Sequence, residues 1–386
     1  MGDLCGGMRR VLSAVGCLSI LVLSSCQDPA SLNRSIWNIS NAWAPVGSPA
    51  ISTDYVVWTS VALGPDRTPY VAFVDGGSSA KATVMRYSGA AWANVGSAGF
   101  SSTSVDCTKL AIDSNGRLYV AYVDQASPHA VTVMTYTGAG TTGWQTVGPV
   151  GFSGGTGWEV SIAIGPGDVP FVAYPTQTSL MLTVMKYESG SGAWVPAGPT
   201  TGFSNVTNVS LAFDKAGTPY VAYNDGNWGE QLSAVSFNGS SWVRVGAQGF
   251  SATSVYYPSL AIDSAGTPYV AFEDTDSAHE GVCVMQFSGG TWSFVGQQHM
   301  SAGTAYDVSL ALTPSGTPYV AYVDGNPGPA TVKRLSGGSW VPVGRTGFSG
   351  GDVGYTTIAI DSSGVPYVAY QDSSLHWNFA TVMRYQ

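Results

Sequence analysis

The chain has 386 residues, of which 44% are hydrophobic, 12% aromatic and only 10% charged. This apolar content excludes a disordered chain. The formal net charge of −9 argues against nucleic-acid binding, which needs clustered lysine and arginine side chains. With 49 glycines and 21 prolines, the chain is rich in turns and lacks the long helix-favouring stretches of an all-α protein.

The first 25 residues predict a signal peptide. Arg9 and Arg10 form a basic start, and residues 11–25 form an apolar and small-residue run. This run is too short to cross a bilayer of about 30 Å but has the length of a signal core.

The segment Leu23-Ser24-Ser25-Cys26 resembles the lipobox of bacterial lipoproteins. The resemblance implies cleavage before Cys26 and acylation of that residue, and several acyl chains make a stable membrane anchor. We therefore expect residues 26–36 to act as a tether. We also expect an exported, lipid-anchored protein of the bacterial cell envelope, at the outer membrane in a Gram-negative source.

Two cysteines, Cys107 and Cys283, remain beyond the predicted anchor. They fall in non-adjacent repeats, which favours two separate buried thiols over a disulfide. No Cys-x-x-Cys motif or Cys/His cluster along the chain predicts zinc, and we expect neither a metal ion nor a cofactor.

Two aromatic positions recur seven times each, and they define an internal repeat. The first recurs at intervals of 48 to 52 residues, at Tyr70, Tyr119, Phe171, Tyr220, Tyr269, Tyr319 and Tyr367. The second opens a Trp-x-x-Val/Ala-Gly motif, at Trp43, Trp92, Trp144, Trp194, Trp242, Trp292 and Trp340. The chain therefore contains seven copies of one unit.

Each unit predicts four short strands, which we name A to D. In the fifth unit they are 259–262, 269–272, 282–287 and 292–295, separated by Gly, Ser and Asp clusters. An Asp-x-x-Gly turn joins A to B, where the Asp side chain caps the turn and glycine takes the positive φ. Four antiparallel strands repeated radially make a β-propeller.

The two ends of the chain predict how the ring closes. The last unit stops after its strand C, at Gln386, whereas Trp43 opens a strand D that has no unit of its own. We therefore predict an all-β fold with a single domain at 37–386, a seven-bladed β-propeller whose last blade is closed by the N-terminal strand. A linear β-solenoid is the competing interpretation, but it does not explain this match.

The phrase Asp-Ser-Ala-Gly-Thr-Pro-Tyr-Val-Ala-Phe at 263–272 resembles tandem propeller repeats of bacterial lipoproteins and surface proteins, most of them of unknown activity. The resemblance covers about residues 37–386. The Trp-Asp and Gly-His motifs of WD40 repeats are missing. The Gly-Gly doublets of the C–D turns resemble those of kelch repeats but lie next to different strands, and the Asp-x-x-Gly turn differs by one residue in spacing from the Asp-box of sialidases. The resemblance therefore implies a fold and no activity.

The working face is predicted on the rim that carries the long, variable D–A and B–C connections, because binding residues favour variable loops on a rigid scaffold. Aromatic residues outside the repeat positions fall mostly on this rim. Exposed Trp and Tyr rings suit sugars and equally suit protein hot spots, although such rings also serve simply to pack loops. The candidates for ligand binding are Trp58, Trp158, Trp228, Trp377, Tyr256, Tyr257, Tyr306 and Tyr355.

Glycoside hydrolysis needs two placed carboxyl groups, and Glu159 and Glu230 form the best available pair, on the same rim of adjacent blades. A further carboxyl group follows strand B in six units, which indicates a structural cap rather than a calcium ring. These residues are Asp75, Asp124, Asp225, Asp274, Asp324 and Asp372. The four histidines are spread over different blades and predict no catalytic triad.

Three functions follow from this sequence. The first is a monomeric, lipid-anchored, non-catalytic binding protein that recognises glycan or protein ligands through its aromatic loops. The second is a structural or interaction scaffold of an envelope assembly. The third is an envelope glycoside hydrolase or lyase that uses Glu159 and Glu230.

Overall fold

The computed structural model of the protein describes residues 42–126, 128–156, 158–276, 280–375 and 378–386. The predicted signal peptide and tether at 1–36, the proposed lipidation residue Cys26, and the candidate Trp377 lie outside these residues. Among the residues that are described, no helix is long and apolar enough to cross a membrane.

The described chain forms 28 strands in seven four-stranded antiparallel sheets. The first strand, β1 (Trp43–Pro45), stands apart from the first blade.

Blades 1 to 4 each contribute strands A, B, C and D in chain order. Blade 1 contains β2 Val56–Leu63, β3 Pro69–Asp75, β4 Lys81–Tyr87 and β5 Trp92–Asn94, and blade 2 contains β6 Val105–Ile112, β7 Leu118–Asp124, β8 Val131–Ala139 and β9 Gly143–Thr146. Blade 3 contains β10 Ser161–Gly165, β11 Val169–Pro175, β12 Leu182–Glu188 and β13 Ala193–Pro196, and blade 4 contains β14 Val206–Phe213, β15 Pro219–Asp225, β16 Gln231–Phe237 and β17 Trp242–Arg244.

Blades 5 to 7 follow the same order: β18 Val255–Ile262, β19 Pro268–Asp274, β20 Gly281–Ser288, β21 Thr291–Phe294; β22 Ala305–Leu312, β23 Pro318–Asp324, β24 Ala330–Ser336, β25 Ser339–Pro342; β26 Val353–Ile360, β27 Pro366–Asp372, β28 Phe379–Tyr385. Four short 3₁₀ helices lie in connections, at Gly76–Ser78, Pro166–Asp168, Gly226–Trp228 and Ser373–Leu375.

The ring closes through the N-terminal strand. Blade 7 has the strand order β26-β27-β28-β1, with Trp43 opposite Tyr385 and Pro45 opposite Met383. The inner strands pack side by side from β2 through β6, β10, β14, β18, β22 and β26, and β26 packs against β2 again. The prediction of an all-β seven-bladed propeller is thus confirmed, and the solenoid is excluded.

The tryptophans of the second repeat position join the blades. Trp144 of blade 2 donates its indole N–H to the Val95 carbonyl beyond the outer strand of blade 1, at 2.6 Å, and stacks on Phe100 at 4.2 Å. Trp43 makes the same joint at the closure, with the Val343 carbonyl at 2.7 Å. Buried indole N–H groups need such acceptors, so these repeated aromatics are structural.

A belt of hydroxyl groups ties the inner strands together. The Ser60 hydroxyl accepts a hydrogen bond from the Leu110 N–H of the next blade at 3.0 Å. Ser161, Ser210, Ser259, Ser309 and Thr357 repeat this bond across the other joints, at 2.9–3.2 Å. In blade 2 the equivalent residue is Lys109, which breaks the belt.

The A–B turns form as predicted. Asp113 accepts hydrogen bonds from the N–H groups of Asn115 at 2.9 Å and Arg117 at 2.8 Å, and Gly116 adopts φ +80°. Cys107 and Cys283 are both free and buried, which confirms the prediction of two separate thiols.

Candidate functional site

Strand A is longer than the sequence predicts, because it continues through a β-bulge near its start. In blade 5 the strand begins at Val255 rather than at 259, and the pairing with β19 shifts between Tyr256 and Ser259. Five other blades show the same bulge. Bulges re-aim side chains and are frequent near functional sites.

Each bulge holds one residue in the left-handed region, with φ between +51° and +57°: Trp58, Cys107, Asn208, Tyr257, Asp307 and Tyr355. In blade 3 the positive φ falls on Trp158, at +74°, one residue before Glu159. Large and aromatic residues rarely adopt this conformation, and such backbone strain concentrates at functional sites. The scaffold therefore imposes the backbone at this position while the side chain changes from blade to blade.

These residues surround a cavity of about 300 Å³ to which all seven inner strands contribute. We call it the axial cavity; its variable lining consists of Trp58, Cys107, Lys109, Glu159, Asn208, Tyr257, Asp307 and Tyr355. It lies toward the ends of the inner strands that join the D–A connections. Its volume is at the lower end of the range for small-molecule sites.

Two carboxyl groups belong to the axial cavity. Burial raises the pKa of Glu159 to about 7, although the N–H groups of Val209 and Asn208 and the charge of Lys109 oppose the shift. Burial likewise raises the pKa of Asp307, which accepts the Tyr355 N–H. Near neutral pH the cavity therefore contains a carboxyl group at Glu159 that can either donate or accept a proton.

Lys109 contributes a positively charged side chain to the axial cavity. It replaces the belt serine of the other blades, lines the axial cavity, and interacts electrostatically with both Glu159 and Asp307. A serine at this position would complete the belt, so the lysine is a departure from the scaffold that structural needs do not explain.

Three aromatic residues, Trp58, Tyr257 and Tyr355, line the cavity. Trp58 and Tyr355 lie with their ring centroids 5.1 Å apart, and Tyr257 lies 6.3 Å from Tyr306, edge to face. Burial raises the pKa of Tyr257 to about 12 and also raises that of Tyr355. Both phenols therefore keep their protons, and each can donate a hydrogen bond at neutral pH.

Threonine hydroxyls hold the bulge backbone in place. Thr108 donates to the Trp58 carbonyl at 2.6 Å, and Thr59 donates to the Tyr355 carbonyl. Each bond links a bulge to the following blade. The bulges of blades 1 and 7 are therefore each tied to the inner strand of the next blade.

The aromatic residues that the sequence predicts for ligand binding fall into two groups, one at the axial cavity and one on the rim surface. Trp58, Tyr257 and Tyr355 lie at the axial cavity, within inner strands. The sequence allowed the start of strand A for Trp58, but it predicted connections for Tyr257 and Tyr355, and the bulge extends strand A past them. Tyr306 is half-buried beside Tyr257.

Three further candidates among the described residues lie on the surface of the same rim. Trp158, Trp228 and Tyr256 are 52%, 51% and 50% exposed. Trp158 lies against His129, with ring centroids 3.9 Å apart. These rings lie on the rim surface and do not belong to the residues that line the axial cavity.

The two carboxyl groups of the predicted pair lie differently. Glu159 lines the axial cavity, whereas Glu230 is not among its lining residues; the Glu230 Oε2 accepts a hydrogen bond from the Thr207 hydroxyl at 3.2 Å, and its charge acts to raise the pKa of Glu159. Asp307 is the other carboxyl group among the lining residues. Sequence reasoning missed Lys109, Asn208 and Asp307, although the position two residues before the belt serine marks the bulge in most units.

The carboxyl groups that follow strand B act as caps, as the sequence predicts. Asp75 accepts hydrogen bonds from the Gly77 N–H at 3.1 Å and from the hydroxyls of Ser78 and Thr83, both at 2.9 Å. Hydrogen bonds from protein donors therefore occupy both oxygens of the Asp75 carboxylate, as expected of a cap.

Larger grooves lie on the opposite rim. Cavities of about 550 and 530 Å³ lie between blades 1 and 2 and between blades 7 and 1, beside Arg86 and the A–B turns. Tyr70 and Tyr367, which line one groove each, are repeat residues. These grooves repeat with the scaffold, so we place the candidate site in the axial cavity.

No protein-family model and no curated protein sequence matches the chain. Among solved structures, an ulvan lyase of polysaccharide lyase family PL25, bound to -[GlcA(1-4)Rha3S]-, is 10% identical with a TM-score of 0.55, over 88% of this chain and 94% of that chain. The GH93 α-L-arabinofuranosidase of Fusarium graminearum, in complex with arabinobiose, is 11% identical with a TM-score of 0.51, over 89% and 98%. The Aleuria aurantia lectin, in complex with Fucα1-6GlcNAc, is 16% identical with a TM-score of 0.48, over 77% and 99%. At identities this low, the similarity to the lyase and to the arabinofuranosidase shows a shared fold only.

Proposed function

We propose that the protein binds a glycan in the axial cavity without transforming it. The observation that carries this proposal is the ring of bulges, because one backbone position bears a different side chain in nearly every blade. A position that served the scaffold would repeat its residue, as the belt serines do. Variation on a constant backbone is typical of a recognition site.

The chemistry of the lining suits a sugar. The faces of Trp58, Tyr257 and Tyr355 offer apolar surfaces for C–H groups, while Asn208 and the charged residues offer hydrogen bonds to hydroxyls. A concave site of about 300 Å³ favours a small ligand, such as the end of a glycan chain, over a flat protein surface. Two solved structures with a similar fold hold a saccharide, but the proposal for this chain rests on its own cavity.

The exposed rim aromatics extend this proposal. Trp158, Trp228 and Tyr256 lie on the same rim, where further sugar units of a longer chain would pass. In that arrangement they add affinity for oligosaccharides but not for a single terminal sugar.

A glycan microarray followed by calorimetric titration tests the proposal. We expect saturable binding to a glycan, and we expect Trp58→Ala and Tyr355→Phe to weaken it at least about tenfold, which corresponds to about 1.4 kcal/mol. Thermal unfolding of each variant shows whether the fold is intact. Failure to bind any glycan, together with capture of an envelope protein by crosslinking, would support the scaffold function instead.

A second function, glycoside cleavage, is favoured by one observation. Glu159, with a pKa of about 7, has the protonation behaviour of a general acid, and Asp307 lines the same cavity. We name Asp307, rather than Glu230, as its partner in this alternative. Turnover of a bound glycan that disappears in both Glu159→Gln and Asp307→Asn would establish catalysis; binding without turnover supports the first proposal.

We further propose that the propeller is displayed at the bacterial envelope through lipid on Cys26. The lipobox-like segment at 23–26 supports this proposal. Metabolic labelling with palmitate should mark the wild type and not Cys26→Ser, and a soluble, unlabelled wild-type protein would contradict it.

A further inference from the structure

The caps after strand B belong to a repeated hydrogen-bond relay. In blade 1 the Gly99 N–H donates to the Thr83 hydroxyl at 2.8 Å, and that hydroxyl donates to Asp75 at 2.9 Å. Blades 2, 4 and 6 repeat the relay with Thr132, Ser233 and Thr331 as the hydroxyls and Gly151, Gly249 and Gly347 as the donors. The four glycines have φ between +58° and +63°, a conformation that favours glycine.

Blade 5 departs from the relay at two positions at once. Cys283 replaces the hydroxyl, and His299 replaces the glycine while keeping φ at +50°. The His299 N–H still donates to Cys283, with 3.3 Å between N and Sγ. A histidine that tolerates this backbone strain places its ring beside the cap, and its Nε2 lies 3.1 Å from Asp274 Oδ2.

We propose that Asp274, Cys283 and His299 form a binding site for a zinc-class transition metal ion, at the joint between blade 5 and the connection into blade 6. One donor atom from each residue lies within 4.8 Å of the other two. In a tetrahedral zinc site with bond lengths of about 2.0–2.3 Å, donor atoms are about 3.3–3.6 Å apart. The nitrogen–oxygen edge, at 3.1 Å, is already close to this spacing, and the sulfur edges are no longer than 4.8 Å.

The donor set selects the class of ion. Thiolate, imidazole and carboxylate together suit zinc, whereas calcium and magnesium prefer oxygen ligands alone. Three protein ligands leave a fourth position open to water or a ligand. On binding, the ion displaces the thiol proton, because thiolate is the ligand form.

The surroundings support a site rather than an accidental contact. Asp274 also accepts the Thr253 hydroxyl and the Asp276 N–H, the latter at 3.1 Å, and such contacts orient a ligand carboxylate. Cys283 is fully buried, and the His299 side chain is 24% exposed.

The spacing of Asp274, Cys283 and His299 along the chain does not predict a metal site. Its members are separated by 9 and 16 residues, which matches no zinc motif. Only the fold brings strand B, strand C and the D–A connection together.

Zinc titration by calorimetry tests the proposal, on the full chain with Cys5, Cys17 and Cys26 replaced by Ser, so that Cys107 and Cys283 are its only thiols. We expect one zinc ion per chain and an increase in the unfolding temperature. With cobalt(II) as the probe, we expect a thiolate-to-cobalt charge-transfer band. Calcium should produce neither binding nor stabilisation.

Two variants restore the residues of the other blades and therefore preserve the fold. Cys283→Thr and His299→Gly should each reduce zinc affinity at least tenfold, and Cys283→Thr should abolish the cobalt band. The matched control, Cys107→Ser, removes the other buried thiol and should change neither. The proposal is overturned if the folded parent chain takes up no zinc, or if Cys283→Thr keeps both the stoichiometry and the cobalt band.

Discussion

Glu273 shows how one residue can set the pH dependence of the fold. It is 2% exposed on strand β19, its Oε2 has no hydrogen-bond partner within the described part of the chain, and burial raises its pKa to about 7. Because the folded-state pKa is higher than the ordinary value of 4.5, the folded protein retains a proton that the unfolded chain releases. The stabilisation is complete below about pH 4.5 and is lost as the pH rises to about 7.

We therefore expect the free energy of unfolding to fall between about pH 4.5 and 7, and Glu273→Gln to make this fall less steep. Glu159, whose pKa burial also raises to about 7, contributes to the part that remains. Urea unfolding across this pH range measures it. The exposed Glu188→Gln serves as the control and should leave the slope unchanged. Equal slopes in Glu273→Gln and the wild type would refute this assignment.

Each inner strand contains a belt position and a bulge position, and the two differ in how much their residue varies between blades. The belt position is nearly constant because a small hydroxyl fits between blades, whereas the bulge position two residues earlier varies. A search for recurrence detects the first position and discards the second. The repeated aromatic residues, the turns and the strand order could be predicted from the sequence for this reason, while Asp307 and Asn208 could not. Lys109 interrupts the recurrent belt position, which is a signal that the sequence does contain.

The bulge itself was also beyond sequence reasoning. Trp58, Tyr257 and Tyr355 adopt a backbone conformation that their residue types disfavour, so local preference gives the wrong expectation. Only pairing with strand B and with the next blade imposes it. Tertiary structure therefore decides which predicted aromatic residues reach the axial cavity and which stay on the rim.

The substitution Lys109→Ser distinguishes a role of this lysine in the stability of the fold from a role in ligand binding. The substitution restores the residue found at this position in five other blades and allows a seventh belt hydrogen bond. We expect unchanged or slightly higher thermal stability, together with loss of glycan affinity. Lys186→Ser, on the opposite rim, is the control. A destabilised Lys109→Ser that binds normally would mean that the lysine serves the fold.

At the scale of the molecule, closure by β1 makes the ring continuous. Trp43 stacks on Phe348 at 4.3 Å, much as Trp194 stacks on Phe152 at 4.6 Å within the ring. The closing joint therefore repeats an internal joint. Closure also removes the exposed strand edge that β28 would otherwise present.

We expect Trp43→Ala and Trp194→Ala to lower the free energy of unfolding by similar amounts, about 3–5 kcal/mol each. Chemical denaturation measures both. The exposed Trp158→Ala should cost far less. A negligible effect of Trp43→Ala beside a large effect of Trp194→Ala would contradict closure through the N-terminal strand.

The most direct test of the central claim is one titration series with a glycan identified on the array. The variants are the cavity substitution Trp58→Ala, the rim double substitution Trp158→Ala/Trp228→Ala, and the wild type. For a monosaccharide or short terminal fragment, we expect at least a tenfold loss of affinity in the cavity variant and little change in the rim variant. Loss of binding in the rim variant, with full affinity in a folded Trp58→Ala protein, would contradict it.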